Sequence, residues 1–421
     1  MAGLAGCSGG GGDSITFGQP ALLSGNLQSV QPPVSASADL AIEKINEAGG
    51  PLGRDLEIVR RDTGRDPQEG RSVFETFVEQ DDVTVINGFT SSVAQPIWDF
   101  IQEQQVPIVS MYAGTEFLDS RGGDGGAPED LSDDGWFWRT TGADTQHTAG
   151  AAIHAAENTE GDAVRFGVIH SKTAGSTEWA EAVQLGARAR DDVEFTELVP
   201  VDAGQSAYRS ELDGFFENDV DVMGVAMGVP SATTLIRNWA DGGYGGNLIL
   251  ENPLQNPDLA SNISDVAANA DGWIRLSVPA IAGPYGDTYI EEFQQFVSES
   301  DQYDGIQRNN WSASAYDAVT VSALAVQRAG EASHDAVQQN IGPVARPPGT
   351  EVSTFADGKE ALENGEEINY VGAQTPVDFN DFGDVFNRAD VFELQDGEFT
   401  KIDEVSAEAI AENIERQRQS N

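Results

Sequence analysis

Cysteine, histidine and lysine are scarce in this chain of 421 residues, with one cysteine, four histidines and, at positions 44, 172, 359 and 401, only four lysines. A single cysteine, Cys7, closes no intrachain disulfide and excludes Cys₂ and Cys₄ metal sites. His147, His154, His170 and His334 form no H-x-x-x-H pair and no cluster, so no metal site is assigned. No G-x-G-x-x-G follows the first strand, and neither G-x-x-x-x-G-K-[ST] nor a G-x-S-x-G elbow occurs. Nucleotide binding of the usual kinds and activated-serine chemistry therefore have no motif behind them. No catalytic residue and no cofactor is expected. No apolar run approaches the ~20 residues that span a bilayer.

Basic charge is also rare. Lys+Arg is 23 against Asp+Glu 70, a formal charge of -47. Self-repulsion at that density weakens a compact fold in dilute buffer, whereas molar salt shortens the Debye length to ~3 Å and screens it. The composition reads as salt-adapted. It also excludes a nucleic-acid partner, because no basic patch exists to displace counterions. An apolar fraction of 39%, arranged periodically, argues against disorder, and the length suits two domains.

Cys7 itself follows Leu4-Ala5-Gly6 and precedes a glycine run, the pattern of a lipobox whose cysteine becomes a lipidated first residue. The alternative is a free cysteine in a flexible start. Met1 to Gly6 is too short for a charged n-region and an apolar segment of ~7–15 residues, so lipidation requires a longer precursor.

What is present is an alternation of strand and helix. Strands are expected at 14–18, 56–59, 83–86 and 106–109, with helices around Ala38–Ile45 and, after the capping box Asp66-Pro67-Gln68-Glu69, through Val78. Gly49-Gly50 supplies a left-handed stop to the first of these helices. A further helix is expected over 94–103. After a glycine-rich, acidic segment at 119–135, read as a solvated insertion, the series restarts with strands at 164–169, 193–200, 220–226 and 247–250. Helices are expected between them at 176–190, 207–216 and 232–240. Short apolar strands between amphipathic helices imply mostly parallel α/β sheets covered on both faces. Two such series suggest two lobes of the same build, which periodicity alone does not tell from one large doubly wound enzyme.

Ligands of such sheets sit beyond the carboxyl ends of the strands. There the chain carries Ser91 and Ser92, whose hydroxyls and helix-start N–H groups suit a carboxylate, although either serine could simply cap the helix. The next strand leads into Tyr112-Ala113-Gly114-Thr115. In the second series, Glu251 ends a strand and either suits an ammonium group or is one more surface charge in a chain with 70 acidic residues. Asp62 is either a site carboxylate or part of a turn with Thr63.

These residues resemble the type I periplasmic binding proteins, the solute receptors of uptake systems for branched-chain amino acids (Leu/Ile/Val), urea or short amides; the acidic composition is similar to that of a haloarchaeal member. The resemblance runs over roughly residues 14 to 403. It rests on the stretch from Ala41 to Arg54 with Arg61-Asp62-Thr63 and Asp66-Pro67, on Ile86-Asn87-Gly88 with Ser91-Ser92, and on Phe137-Trp138-Arg139-Thr140. Further matches are Tyr285 to Phe293, Ala315-Tyr316-Asp317-Ala318, Ile368 to Ala373 and Phe379 to Asp384.

The resemblance implies a tether at 1–13, an N-terminal lobe from 14–139 and 281–385, and a C-terminal lobe from 140–280 and 386–421. Three hinge crossovers near 140, 280 and 385 would join the lobes. It implies ligand contacts from Ser91, Ser92, Tyr112, Ala113, Gly114, Thr115, Ala174, Gly228, Val229 and Glu251, with Asn252 as the alternative to Glu251. Ala174 stands where the family commonly has a stacking tyrosine, so one aromatic wall is missing. The implied function is non-enzymatic: capture of a small amino acid at the outer face of the cell membrane and delivery to an ABC transporter permease, with membrane contact only through a lipid on Cys7. Receptors for urea or a short amide, and ligand-sensing regulatory domains of the same fold, are the alternatives.

Overall fold

The computed structural model describes residues 14–24, 28–115, 117–118, 135–380 and 382–420. Cys7 with its tether, and residues 119–134 of the insertion expected at 119–135, lie outside these described residues.

Two sheets, one parallel and one mostly parallel, organise the chain. The first has five strands, β1 (Ile15–Ala21), β2 (Leu56–Asp62), β3 (Val85–Ile86), β4 (Ile108–Ser110) and β5 (Phe137–Arg139), in the order β2-β1-β3-β4-β5 and parallel throughout. The second contains β6 (Val164–Ser171), β7 (Val193–Val201), β8 (Val222–Ala226), β9 (Asn247–Leu250) and β10 (Ile274–Pro279). To these it adds β13 (Ala389–Gln395) and β14 (Glu398–Val405), in the order β14-β13-β10-β9-β8-β6-β7. β13 and β14 join antiparallel, an edge that the alternating apolar runs did not announce. A small parallel pair, β11 (Thr350–Val352) and β12 (Ile368–Tyr370), completes the strands among the described residues.

Helices cover both sheets as the periodicity requires. Asp66 caps the helix Pro67–Glu79, its Oδ1 accepting the N–H groups of Gln68 (2.8 Å) and Glu69 (3.0 Å), while Phe74 and Phe77 on the inner face are fully buried. Gly49 and Gly50 take positive φ of 83° and 63° after the helix Gln31–Glu47. The helix Ser312–Ala329 is buried nearly all round, consistent with its almost uninterrupted apolar and small residues, and packs on Gln31–Glu47.

One helix departs from expectation. Instead of a single helix over 94–103 there are two pieces, Ser91–Ala94 and Trp98–Gln104. Pro96 stands between them, and a proline lacks the N–H and clashes with the preceding turn.

The chain passes between the sheets three times, and the three passages are laced together. Arg139 N–H donates to Gly383 O (3.0 Å), Gly142 bridges Val385, and Ala280 N–H donates to Arg388 O (3.0 Å). Gln146 grips the third passage from both ends, with Nε2 on Val385 O (3.0 Å) and Oε1 on Asn387 N–H (2.9 Å). Asp317, fully buried, accepts Tyr370 O–H (2.8 Å) and the N–H groups of Ala373 and Gln374 (2.7 Å each), which makes it a brace for the backbone at 370–374.

Candidate functional site

On the first sheet the carboxyl edge presents two interlocked loops. After β3 the chain passes Gly88 (φ 155°) and Phe89 (φ 67°). A Cβ on Gly88 would come within 2.7 Å of Pro20 Cδ, so only glycine lets the loop run this close to β1. Thr90 O then accepts the N–H groups of Val93 (3.0 Å) and Ala94 (2.9 Å), closing the turn that carries Ser91 and Ser92. Ser91 Oγ accepts Thr115 N–H (3.1 Å), and Ser92 Oγ lies 3.0 Å from Thr90 Oγ1. Ser110 Oγ accepts the N–H groups of Tyr112 and Ala113 (3.1 Å each) and donates to Phe89 O (2.8 Å).

The loop Tyr112–Thr115 is therefore more internally satisfied than its sequence implies. Tyr112 turns its hydroxyl inward to Gln31 Oε1 (2.9 Å). Ala113 is fully buried, and its carbonyl and that of Thr115 both accept Arg139 Nη1 (3.0 Å each), while Gly114 O accepts Asp144 N–H (2.6 Å). Arg139 is itself fully buried and paired through Nε with Asp384 Oδ1 (2.7 Å). The carbonyls of Ala113 and Thr115 thus fix the loop to β5, because a buried guanidinium needs acceptors for its donors. Val93 N–H, a candidate carboxylate donor from sequence, is likewise used within its own turn.

On the second sheet, β6 leads into the helix Ala174–Arg188 and β9 into Glu251 and Asn252. Ser176 Oγ donates to Glu251 Oε2 (3.2 Å). Glu251 keeps part of its surface exposed, yet desolvation pushes its carboxyl up to about 8; Asp144 pushes the same way, and Ser176 and Arg65 oppose. Asn252 is buried with Oδ1 lacking a hydrogen-bond partner. Gly228 is exposed and begins the helix at Val229, which is half-buried.

The two edges meet. The turn Ser91–Ala94 packs against the helix Ala174–Arg188. Asp144, whose carboxylate lies so close to Gly114 that a Cβ there would be 2.3 Å from Oδ1, is also near enough to Glu251 to raise its pKa. His147 Nε2 is 3.4 Å from Asp144 Oδ1, but burial holds that imidazole down to about 4, so it is neutral in ordinary buffer. Asp62 accepts the N–H groups of Leu23 (3.0 Å) and Gly64 (3.1 Å), a turn role and not a site role. A surface depression of about 670 Å³, lined by Asn158, Asp221, Asn247 and Trp273 among others, opens instead at the amino ends of β8 to β10.

One cleft residue escapes the sequence reading. Arg65 follows β2 with φ 60°, a left-handed conformation unusual for arginine, and its Nη2 lies 3.5 Å from where a Cβ on Gly175 would stand. Glu178 and Glu251 are close enough for their charges to act on it. The available signal was a basic residue in a strand-to-helix turn of a chain otherwise poor in them.

A periplasmic binding protein family model matches residues 14–396. A Leu/Ile/Val-binding protein homolog of Brucella melitensis is 28% identical over 200 residues, 47% of this chain and 51% of that protein. The chain thus spans about half the length of that curated relative. Among solved structures, a leucine-binding protein from Thermotoga maritima superposes with a TM-score of 0.71 at 16% identity, covering 93% of this chain and 99% of the other. A solute-binding protein of an R. palustris ABC transporter, in complex with benzoate, gives 0.67 at 13% identity, covering 93% and 96%. With the fold of such receptors and a match over nearly its whole length, the chain belongs to the periplasmic binding protein family.

Proposed function

We infer that this protein is a solute receptor that captures a small amino acid, branched-chain or similarly apolar, and delivers it to the permease of an ABC transporter. The observation that carries this reading is Glu251, a desolvated carboxyl at the carboxyl edge of the second sheet with Ser176 as its hydrogen-bond donor. An arriving ammonium group would ionise it and replace the lost hydration with a charge-assisted hydrogen bond. Ser91 and Ser92 lie on the opposing edge, so one zwitterion would touch both lobes and hold them closed. We place the hinges in the three laced passages near 140, 280 and 385. The names of the relatives support branched-chain amino acids as the ligand class. Nothing in this scheme requires catalysis.

The protein would work at the outer face of the membrane, tethered by a lipid on Cys7, in a salt-rich medium that its composition suits. Mass spectrometry of the native protein would find an unmodified Cys7 if the tether is wrong. The functional reading is tested by a thermal-shift screen of amino acids, monocarboxylates, short amides and urea in molar KCl. Leucine, isoleucine or valine should raise the midpoint by mass action. A shift with urea or an amide alone would replace the amino-acid reading.

A second reading is a carboxylate without an ammonium group. The high pKa of Glu251 favours it, because a protonated carboxyl can donate to a ligand carboxylate, and the benzoate-bound structural relative shows that such a ligand suits the fold.

A further inference from the structure

We propose that Arg65 is the ligand's carboxylate anchor, reaching across the cleft from the first lobe to supply the positive pole opposite Glu251. This rests on the reading of the protein as an amino-acid receptor and names the residue that reads the acid group.

Four observations converge on Arg65. Its Nε is buried with no hydrogen-bond partner, so the fold has taken a guanidinium donor out of water without satisfying it. A buried polar group left in this state is costly, and a ligand hydrogen bond would offset that cost. Its Nη2 rests against Gly175, beside the position where the missing aromatic wall would have stood. Glu178 and Glu251 act on the guanidinium through charge, yet neither is hydrogen-bonded to it, so its donors are not spent on these carboxylates. Finally, Arg65 holds a left-handed backbone directly after Gly64 (φ 53°), within a turn closed by Asp66 N–H on Thr63 O (2.9 Å). A left-handed non-glycine residue is held by its surroundings, here the turn that sets the Arg65 side chain beside Gly175.

The hydroxyl cradle expected to hold the carboxylate is, by contrast, partly engaged. Ser92 Oγ is in reach of Thr90 and Val93 N–H is bonded within its turn, while Ser91 Oγ accepts Thr115 N–H and keeps its own O–H to donate. A planar carboxylate matches the guanidinium fork and forms two parallel hydrogen bonds with it. Such a ligand would place its acid group on Arg65 and its ammonium on Glu251, giving each of the two groups a partner of opposite charge.

The test is calorimetric titration of the full chain in molar KCl with leucine and with leucinamide, which keeps the ammonium and side chain but replaces the carboxylate. Wild type should prefer leucine. Arg65→Gln should weaken leucine at least ~10-fold, the scale of a hydrogen bond to a charged group, and leave leucinamide within about twofold. Arg65→Lys should recover part of the preference. Equal losses for both ligands would mean a structural role, and unchanged leucine affinity would mean no role; either overturns the proposal. If wild type binds no amino acid, the functional reading has failed on its own. Arg65 is then judged with benzoate against benzamide, and the proposal falls if benzoate gives no heat or binds independently of Arg65.

Discussion

Lowering the pH below 8 should loosen the hold of the cleft on an amino acid, because Glu251 must lose its proton before it can pair with an ammonium group. In the free protein desolvation holds this carboxyl at about 8, with Asp144 adding to the effect and Ser176 and Arg65 opposing it. At pH 6 the group lies two units below that value, and ionising it costs about 2.7 kcal/mol at 1.36 kcal/mol per unit. Affinity should therefore fall roughly tenfold per unit from pH 8 to pH 6 and level off above 8. Binding at pH 7 should release about 0.9 proton, the protonated fraction one unit below the pKa. The ligand's ammonium, next to its own carboxylate, keeps its proton over this range, and His147 at about 4 is already neutral. Titrations in buffers of different ionisation enthalpy measure the proton count directly.

Glu251→Gln isolates the group from Glu178, whose carboxyl burial also raises. The variant should lose the pH dependence and, above pH 8, bind about 2–5 kcal/mol more weakly than wild type. Without ligand the sign reverses. A carboxyl raised in the folded state favours folding below its unfolded pKa, and that contribution is lost as pH rises toward 8. Ligand-free Glu251→Gln should thus be the more stable protein at pH 8. A flat affinity between pH 6 and 8 with no proton release would refute the assignment, and an affinity that falls above pH 8 would favour a ligand lacking an ammonium group.

Asp384→Ala removes the carboxylate from buried Arg139, which also holds the carbonyls of Ala113 and Thr115. It should cost about 3–5 kcal/mol in denaturant unfolding, and a loss near zero would mean that the pair is not a structural brace. Gly88→Ala forces a Cβ against Pro20 in a positive-φ position, so it should destabilise the fold by about 1–3 kcal/mol and weaken ligand binding through the serine turn. Unchanged binding would detach that turn from the site. With a formal charge of -47, the unfolding midpoint should rise steadily from about 0.1 M to about 2 M KCl as screening shortens to a few Å; a midpoint independent of salt would refute the salt-adapted reading.

Local chemistry by itself determined much of this protein. The cap at Asp66, the glycine stop at 49 and 50, and the apolar strand runs each depend on neighbours a few residues away, so they are legible along the chain. So is the place to look for a site, since parallel strands bring their carboxyl ends to one edge. The helix expected over 94–103 is divided for an equally local reason, Pro96, which stands between Ser91–Ala94 and Trp98–Gln104. Tertiary structure alone decided which polar groups remain free to meet a ligand. Arg139 lies 24 to 26 residues from the carbonyls it occupies and 245 from Asp384, and no periodicity encodes such pairings. The same holds for β13 and β14, whose antiparallel edge depends on a return of the chain from the other lobe. Arg65 is the sharpest case. In the sequence it is one basic residue in a turn, and it becomes a cleft cation only because folding sets it against Gly175 and near Glu178 and Glu251, more than a hundred residues away. Hydrogen bonding and desolvation are properties of what surrounds a group in space, and that surrounding is assembled from segments that the chain keeps far apart.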